Sequence, residues 1–337
     1  MLKLLSIIFF IYMVLMLSYI LVFPGMLLKN NFLNTLPKKL MQTYLCFIFK
    51  NFFDLEYKLA DLKTNMNKIN ENTDKIDVII ANHISTIDFL LIYCYLNCFN
   101  IDGINFVLRD GLLNYPGLGL ILYANSDIKV KRKWEEDKET LNKQIDMIEL
   151  NSGTKQVIVI FCEGTRMTDD KLKEGQQFSK DNNYPIYNNL LVPKSKGIHT
   201  IINHLNKNNK LGKVWDLSLI IPKFLGKSCF MEDLSEEGKI GEIYSIFREL
   251  DTSTITDISD NIQFKAWLLE RWKEKDDMIN IYKTYEYKKL PFNENNNHYI
   301  FLLIIATMGY FMINNKYGRS YLYLAIIISY IMIFFRL

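Results

Sequence analysis

Ile76-Asp77-Val78-Ile79-Ile80-Ala81-Asn82-His83-Ile84-Ser85-Thr86-Ile87-Asp88 is the stretch on which the reading of this chain turns. Six residues rich in β-branched side chains run directly into polar ones, a pattern that predicts a short buried strand ending in a loop. Gln156-Val157-Ile158-Val159-Ile160-Phe161 has the same form and runs into Cys162-Glu163-Gly164-Thr165-Arg166. Leu217–Ile221, ahead of Pro222, predicts a further strand. Charged helices are predicted at Trp134–Leu150, stopped by Asn151, Ser152 and Gly153, and at Ile262–Tyr285. Strands alternating with helices predict an α/β domain. In such domains functional groups gather beyond the carboxyl ends of strands, where both polar stretches fall.

Composition narrows the class. The 337 residues are long enough for a sizeable core, and a hydrophobic fraction of 49% excludes disorder as the main character. Forty basic side chains against 37 acidic ones leave a formal charge of +3, which argues against a dedicated nucleic-acid binder. No internal repeat and no glycine-rich phosphate loop is present. The five cysteines, Cys46, Cys94, Cys98, Cys162 and Cys229, have no CxxC spacing, so reduced thiols are expected rather than disulfides or a zinc site.

The apolar residues concentrate at the two ends. Leu4–Leu28 carries no charge. As a helix it would span about 37 Å against a hydrocarbon core of about 30 Å. An uncleaved membrane anchor is expected there, with a cleaved signal after Lys3 as the alternative. Tyr299–Ile313 and Ser320–Phe335, separated by polar residues 314–319, predict two short spans or a re-entrant hairpin; a buried helical hairpin is the alternative. Leu40–Phe53 is expected in the interface plane, with Lys38, Lys39 and Lys50 meeting lipid phosphates. The heavier positive charge after the first span places the middle of the chain in the cytosol. The expected division is a membrane anchor and interfacial segment at 1–54, the α/β domain at 55–290, and a linker, beginning as polar Pro291–His298, with the terminal hairpin at 291–337.

The chemistry centres on His83 and Asp88. A histidine acting as base near neutral pH gains from a carboxylate that keeps one ring nitrogen protonated and leaves the other free. On one continuous helix the two side chains would point about 140° apart. Ser85 or Thr86 as helix N-cap would put His83 in the loop and Asp88 in the first turn, within reach. The competing reading is structural: Ser85 with Asp88 is also the pattern of a capping box. His199, His204 and His298 lack comparable surroundings, and no metal-ligand set is visible. In the second stretch, Arg166 in a glycine-containing loop suits a phosphate. A Glu163–Arg166 surface pair in an ordinary turn is the alternative. Cys162, closing a strand, reads as a packing residue rather than a nucleophile.

Together these residues resemble a known family. Asn82, His83 and Asp88 match the HxxxxD signature, and Glu163, Gly164, Thr165 and Arg166 the EGTR signature, of the glycerolipid acyltransferases related to 1-acylglycerol-3-phosphate acyltransferase. Arg109 followed by Tyr115–Gly119 resembles the family's basic residue and Pro-x-x-Gly loop. Val130–Asp137 resembles the segment of its third motif, with Arg132 at the family's arginine, and Leu191–Lys194 its proline motif, with Pro193. Lys194–Gly197, Trp215 with Asp216, and Trp267 through Asp276 are most similar to the eukaryotic lysocardiolipin acyltransferase-like branch. The resemblance covers roughly residues 76–285. It departs at Arg109, where many relatives have lysine, and at Cys162, where proline is usual.

The resemblance implies an acyltransferase-like αβ domain with a mixed, largely parallel sheet and membrane helices at both ends. It implies transfer of an acyl group from acyl-CoA, a co-substrate rather than a cofactor, to the free hydroxyl of a lysophospholipid. His83 would be the general base and Asp88 its partner. Arg166 with Gly164 and Thr165 would hold the phosphate, with Arg109 and Arg132 as further candidates for phosphate of lipid or CoA, Asn82 or nearby backbone donors at the oxyanion, and Glu163 and Pro193 at the substrate site. Lysophosphatidate is the generic acceptor; the branch features raise lysophosphatidylinositol, lysophosphatidylglycerol and lysocardiolipin. A CoA-independent transacylase or hydrolase on the same scaffold, and a non-catalytic membrane scaffold, are the competing functions. Family and anchors imply the endoplasmic reticulum membrane, with no metal, prosthetic group, nucleic acid or obligate protein partner.

Overall fold

The computed structural model describes residues 2–62, 69, 73–125, 127–148, 150, 154–227, 239–255, 257–293 and 296–335. Strands β1 (Glu56–Ala60), β2 (Ile76–Ala81), β3 (Gly103–Arg109), β4 (Ile128–Val130), β5 (Gln156–Phe161), β6 (Leu211–Ile220), β7 (Glu242–Leu250) and β8 (Tyr287–Lys289) form one sheet in the order β4-β3-β5-β2-β6-β7-β1-β8. The first five in that order are mutually parallel. β7 runs antiparallel to β6, and β1 pairs parallel with β7 and antiparallel with β8. The sheet is therefore mixed and largely parallel, and the carboxyl ends of β4, β3, β5, β2 and β6 make one continuous edge.

Every residue of β2 is buried, because the sheet is covered on both faces. Ile79 and Ala81 point into one apolar cluster with α1 (Leu2–Leu17), α2 (Phe23–Leu27), α3 (Asn31–Phe52), α4 (Asp88–Asn97) and α5 (Leu118–Ala124). Val78 and Ile80, one pleat out of phase, point into the other. That second layer is made by α6 (Trp134–Asp146), α8 (Ser195–Lys207) and α9 (Asn261–Asn280), while α7 (Asp169–Asp181) buries only Ser179. α8 shows why: Ile198, Ile201, Ile202 and Leu205 fall on one helical stripe, and each such side chain contributes about 1.5–3 kcal/mol on full burial. Asp77 sits inside β2 because Lys155 Nζ and Trp215 Nε1 reach its carboxylate at 2.7 Å each.

The two quoted strands have the boundaries expected of them. β6 begins at Leu211, six residues before the expected Leu217, and α6 ends at Asp146. α9 ends at Asn280, where a 3-10 turn over Tyr282–Thr284 takes over. Residues 151–153, 294–295 and Cys229 lie outside the described residues.

The interfacial reading of Leu40–Phe53 is corrected. Leu40, Met41, Leu45 and Ile48 of α3 are in the core. Lys38 turns inward to Asp127 at 3.1 Å; Lys39 pairs with Asp102 at the same distance but stays partly exposed, and Lys50 is exposed. Gln42, one turn beyond Lys38, donates to the carbonyls of Tyr93 and Ile101. Lys38 and Gln42 thus satisfy buried groups on the neighbouring layer rather than facing lipid.

The N-terminal helix continues from α1 through a π-helical turn (Ser18–Val22) into α2. Among the described residues, Ile8–Leu27 is the helix long and apolar enough to cross a membrane, by length and composition, and half of it is buried against the rest of the protein. Ser18 Oγ bonds the carbonyls of Val14 and Gly117. Gly117 has φ +72°, and a Cβ there would lie 3.1 Å from the Leu15 Cα, so this glycine lets the Pro116 loop lie against the apolar helix. At the other end, α10 (Asn296–Asn314) and α11 (Lys316–Phe335) are joined at Asn315. Both are longer than expected: Asn296–His298, expected as linker, opens α10, and Lys316–Arg319, read as a turn, opens α11. The Asn315 side chain caps that opening, accepting from the Tyr317 N–H.

Candidate active site

β2 ends at Ala81, and the chain turns through His83–Ile87 into α4, whose first residue is Asp88. His83 Nδ1 lies 2.8 Å from Asp88 Oδ2. The same oxygen accepts the backbone N–H groups of Ile84 at 2.6 Å and Ser85 at 2.8 Å, and Oδ1 accepts from Ser85 Oγ at 2.5 Å. Ser85 Oγ in turn accepts from the Ile87 N–H. The capping arrangement and the histidine–carboxylate pair are thus one structure rather than alternatives: the carboxylate that closes the turn also holds the imidazole. Asp88 is fully buried, whereas the His83 side chain is 20% exposed. An ionised carboxylate only accepts, so Nδ1 carries the hydrogen and Nε2 is left to take a proton.

The loop after β5 abuts this turn because β5 is the neighbour of β2. The His83 ring stacks on Phe161 with centroids 4.4 Å apart. The Met167 N–H donates to the His83 carbonyl at 2.9 Å, and the His83 N–H donates to Glu163 Oε1 at 3.4 Å. Glu163, expected at the substrate, is corrected to a positioning role. It is buried, and burial holds its carboxyl well above the usual carboxylate range, against the N–H groups of His83 and Leu191 and nearby Lys275, which pull it down. Glu163→Ala is expected to leave the His83 N–H without its partner, costing about 1–3 kcal/mol of stability and lowering kcat with little change in KM. Glu163→Gln, a neutral side chain of the same shape, is expected to restore both; thermal unfolding beside steady-state kinetics checks this.

Gly164 has φ +67°, and a Cβ there would lie 3.0 Å from Cδ of Lys194, whose stem crosses the loop. Thr165 Oγ1 accepts from Lys171 Nζ at 2.7 Å, and the same ammonium reaches the Arg166 carbonyl at 3.4 Å. Arg166 is half-buried between them in sequence. Pro193 is buried and does not line an open surface. Its successor Lys194 donates its N–H to the Cys162 carbonyl at 2.7 Å, which brings the start of α8 against the loop. Burial pushes the Cys162 thiol up, consistent with a packing residue and not a nucleophile.

Asn82 is also corrected. Its amide is buried, with Nδ2 donating to the Leu219 carbonyl and Oδ1 accepting the Leu219 N–H, both at 2.9 Å. The side chain extends the β2–β6 ladder and is not available to an oxyanion. Arg109 closes β3, and Arg132 lies two residues past β4 with φ +64°. Both are exposed, and partial burial together with Arg109 lowers the Arg132 pKa, which places these two cations near one another on the carboxyl edge. Lys171 is a part of the site that the sequence reading missed; its only local signal is its place in the first turn of α7, after the Thr168 cap.

A cavity of about 780 Å³ lies away from His83. It lies between α3, the β3–β4 edge and α6, lined by Lys38, Asp127, Lys129 and Gln144. Burial lowers the Lys129 ammonium to about 8. Its rim at Asp110 and Lys131 adjoins Arg109 and Arg132 in sequence.

Fold and site together define an α/β domain with a histidine–carboxylate pair at the carboxyl edge of its parallel strands, beside an arginine-bearing loop. Residues 63–205 match the family model described as Acyltransferase. The chain is 25% identical over 224 residues to a probable 1-acyl-sn-glycerol-3-phosphate acyltransferase 5 of Arabidopsis thaliana, covering 65% of this chain and 58% of that protein. It is 23% identical over 200 residues to lysocardiolipin acyltransferase 1 of Danio rerio, covering 59% and 50%. Against the human 1-acyl-sn-glycerol-3-phosphate acyltransferase gamma it is 30% identical over 143 residues, covering 42% and 37%. The chain thus spans about half the length of the curated relatives it matches. The crystal structure of the acyltransferase PlsC from Thermotoga maritima overlays on 82% of this chain and 98% of its own at 17% identity and a TM-score of 0.37, too loosely to assign residue correspondences.

Proposed function

We propose that this protein transfers a fatty acyl group from acyl-CoA to the free hydroxyl of a lysophospholipid at a membrane surface, with lysophosphatidate as the first acceptor to test. The observation that carries the reading is the 2.8 Å contact between His83 Nδ1 and buried Asp88, latched to the loop that bears Arg166. In the proposed step His83 Nε2 takes the acceptor hydroxyl proton as the oxygen attacks the thioester carbonyl. The tetrahedral adduct then collapses with loss of the CoA thiolate, which recovers the proton from the imidazolium. Asp88 supports that imidazolium electrostatically. No acyl-enzyme is needed, since the thioester is already activated and the nucleophile belongs to the second substrate. Arg166 holds the lipid phosphate, with Arg109 and Arg132 drawing anions to the same edge.

The apolar helix packed against the Gly117 loop supports a site near the bilayer, where acyl chains stay out of water at about 0.8 kcal/mol per CH₂. The names of the relatives support both lysophosphatidate and lysocardiolipin as acceptors. The test is CoA release by the purified full-length protein from acyl-CoA across a lysophospholipid panel. Acceptor-dependent release is expected; release at the same rate without any acceptor would make it a hydrolase, and acyl exchange between lipids without CoA a transacylase. Arg166→Ala is expected to raise KM for the lysophospholipid about 10- to 100-fold, the equivalent of one lost charge-assisted contact, with a smaller change in KM for acyl-CoA.

A further inference from the structure

A second groove, about 330 Å³, runs between α6 and α8. Trp134 and Lys138 line it from α6, and Lys196, His199, His204 and Lys207 from α8. On α8 these residues share the side away from the buried Ile198–Leu205 stripe, so their direction is set by how the helix packs on the sheet. Among the described residues no carboxylate lines the groove. His204 pairs with Asp146 and Lys207 stands near Asp257, both acids outside the lining, and His199 Nε2 bonds the Ile258 carbonyl, so the charge of the lining itself is that of its lysines. Three ammonium groups along one narrow cleft repel one another unless an anion lies between them. Two lining asparagines add a second requirement. The Oδ1 atoms of Asn142 and Asn203 are buried without a hydrogen-bond partner, so the cleft also calls for a ligand that donates.

The groove begins at the catalytic edge. Trp134 follows Arg132 by two positions, and Lys196 lies two positions beyond Lys194, whose stem covers Gly164. Lys196 Nζ stands 5.7 Å from the Trp134 ring centroid, so an aromatic face and a cation frame the mouth.

We propose that the α6–α8 groove binds the phosphorylated adenosine end of the acyl donor, its phosphates against Lys138, Lys196 and Lys207 and its amino or hydroxyl donors on Asn142 and Asn203. A bare phosphate would leave the two amide oxygens unsatisfied, whereas a nucleotide supplies both kinds of group. The inference rests on acyl-CoA being the donor, and its test separates the two claims. Binding of adenosine 3′,5′-bisphosphate, inorganic phosphate and anionic lipid vesicles to the full-length protein in detergent is measured by calorimetry, for wild type, Lys138→Ala/Lys207→Ala and the matching Lys→Arg pair. The bisphosphate is expected to bind more tightly than phosphate, the alanine pair to weaken it about ten-fold or more, and the arginine pair to restore it. KM for acyl-CoA should rise by the same factor while KM for the lysophospholipid stays put. Equal bisphosphate affinity in wild type and the alanine pair overturns the proposal, as does a loss confined to inorganic phosphate or vesicles. Bisphosphate binding that depends on the lysines in a protein without acyl transfer would sink the proposed reaction and leave the nucleotide groove standing.

Discussion

His83→Ala is expected to lower kcat/KM for acyl transfer about 10²- to 10⁴-fold, the range lost with a positioned general base. The alanine leaves the turn intact, because the carboxylate of Asp88 keeps the Ile84 and Ser85 N–H groups and the Ser85 hydroxyl. The Glu163 and Met167 contacts involve only the backbone of residue 83, so they persist as well. Unfolding temperature close to wild type, measured beside CoA release, would assign the loss to chemistry. Full activity in a folded His83→Ala protein would remove the proposed base.

Asp88→Asn is expected to cost a comparable factor, about 10²- to 10⁴-fold in kcat, and to spare the fold. An asparagine whose Oδ1 takes the place of Oδ2 still accepts from His83, Ile84 and Ser85, and its amide can donate to Ser85 Oγ. What it cannot do is balance an imidazolium in a buried setting, since the neutral amide has no charge to offer. Alanine at the same place is different in kind: it strands two backbone N–H groups, so instability would mask any effect on rate. The asparagine variant is therefore the informative one, read by kcat at saturating substrates together with the unfolding temperature.

The parts of this site that were legible in the sequence are those set by local chemistry. A β-branched run ending in a turn with a helix-capping pattern places His83 and Asp88 within reach of each other, and the same logic places Glu163–Arg166 at the end of β5. That the two ends are adjacent follows from β2 and β5 being neighbours in a parallel sheet. What was not legible depends on partners far away in the chain. Asn82 reads as a polar group beside a catalytic histidine, yet its amide is committed to Leu219, 137 residues on, in the β2–β6 ladder. Lys38 and Lys39 read as lipid-facing because nothing nearby in sequence balances them; Asp127 and Asp102 do so in three dimensions. Glu163 reads as a substrate-site acid or as half of a surface pair with Arg166, and only the packing of β5 against β2 and the Leu191 segment buries it.

The central claim is that His83 and Asp88 act as one unit, the carboxylate working only through the imidazole it holds. The most direct measurement is a double-mutant cycle in kcat/KM for acyl transfer, with wild type, His83→Ala, Asp88→Asn and the combined variant. Once the imidazole is gone the carboxylate has nothing to support, so the combined variant should be about as slow as His83→Ala alone. Losses that instead multiply, each substitution costing its full factor in the presence of the other, would show two independent roles and contradict the account.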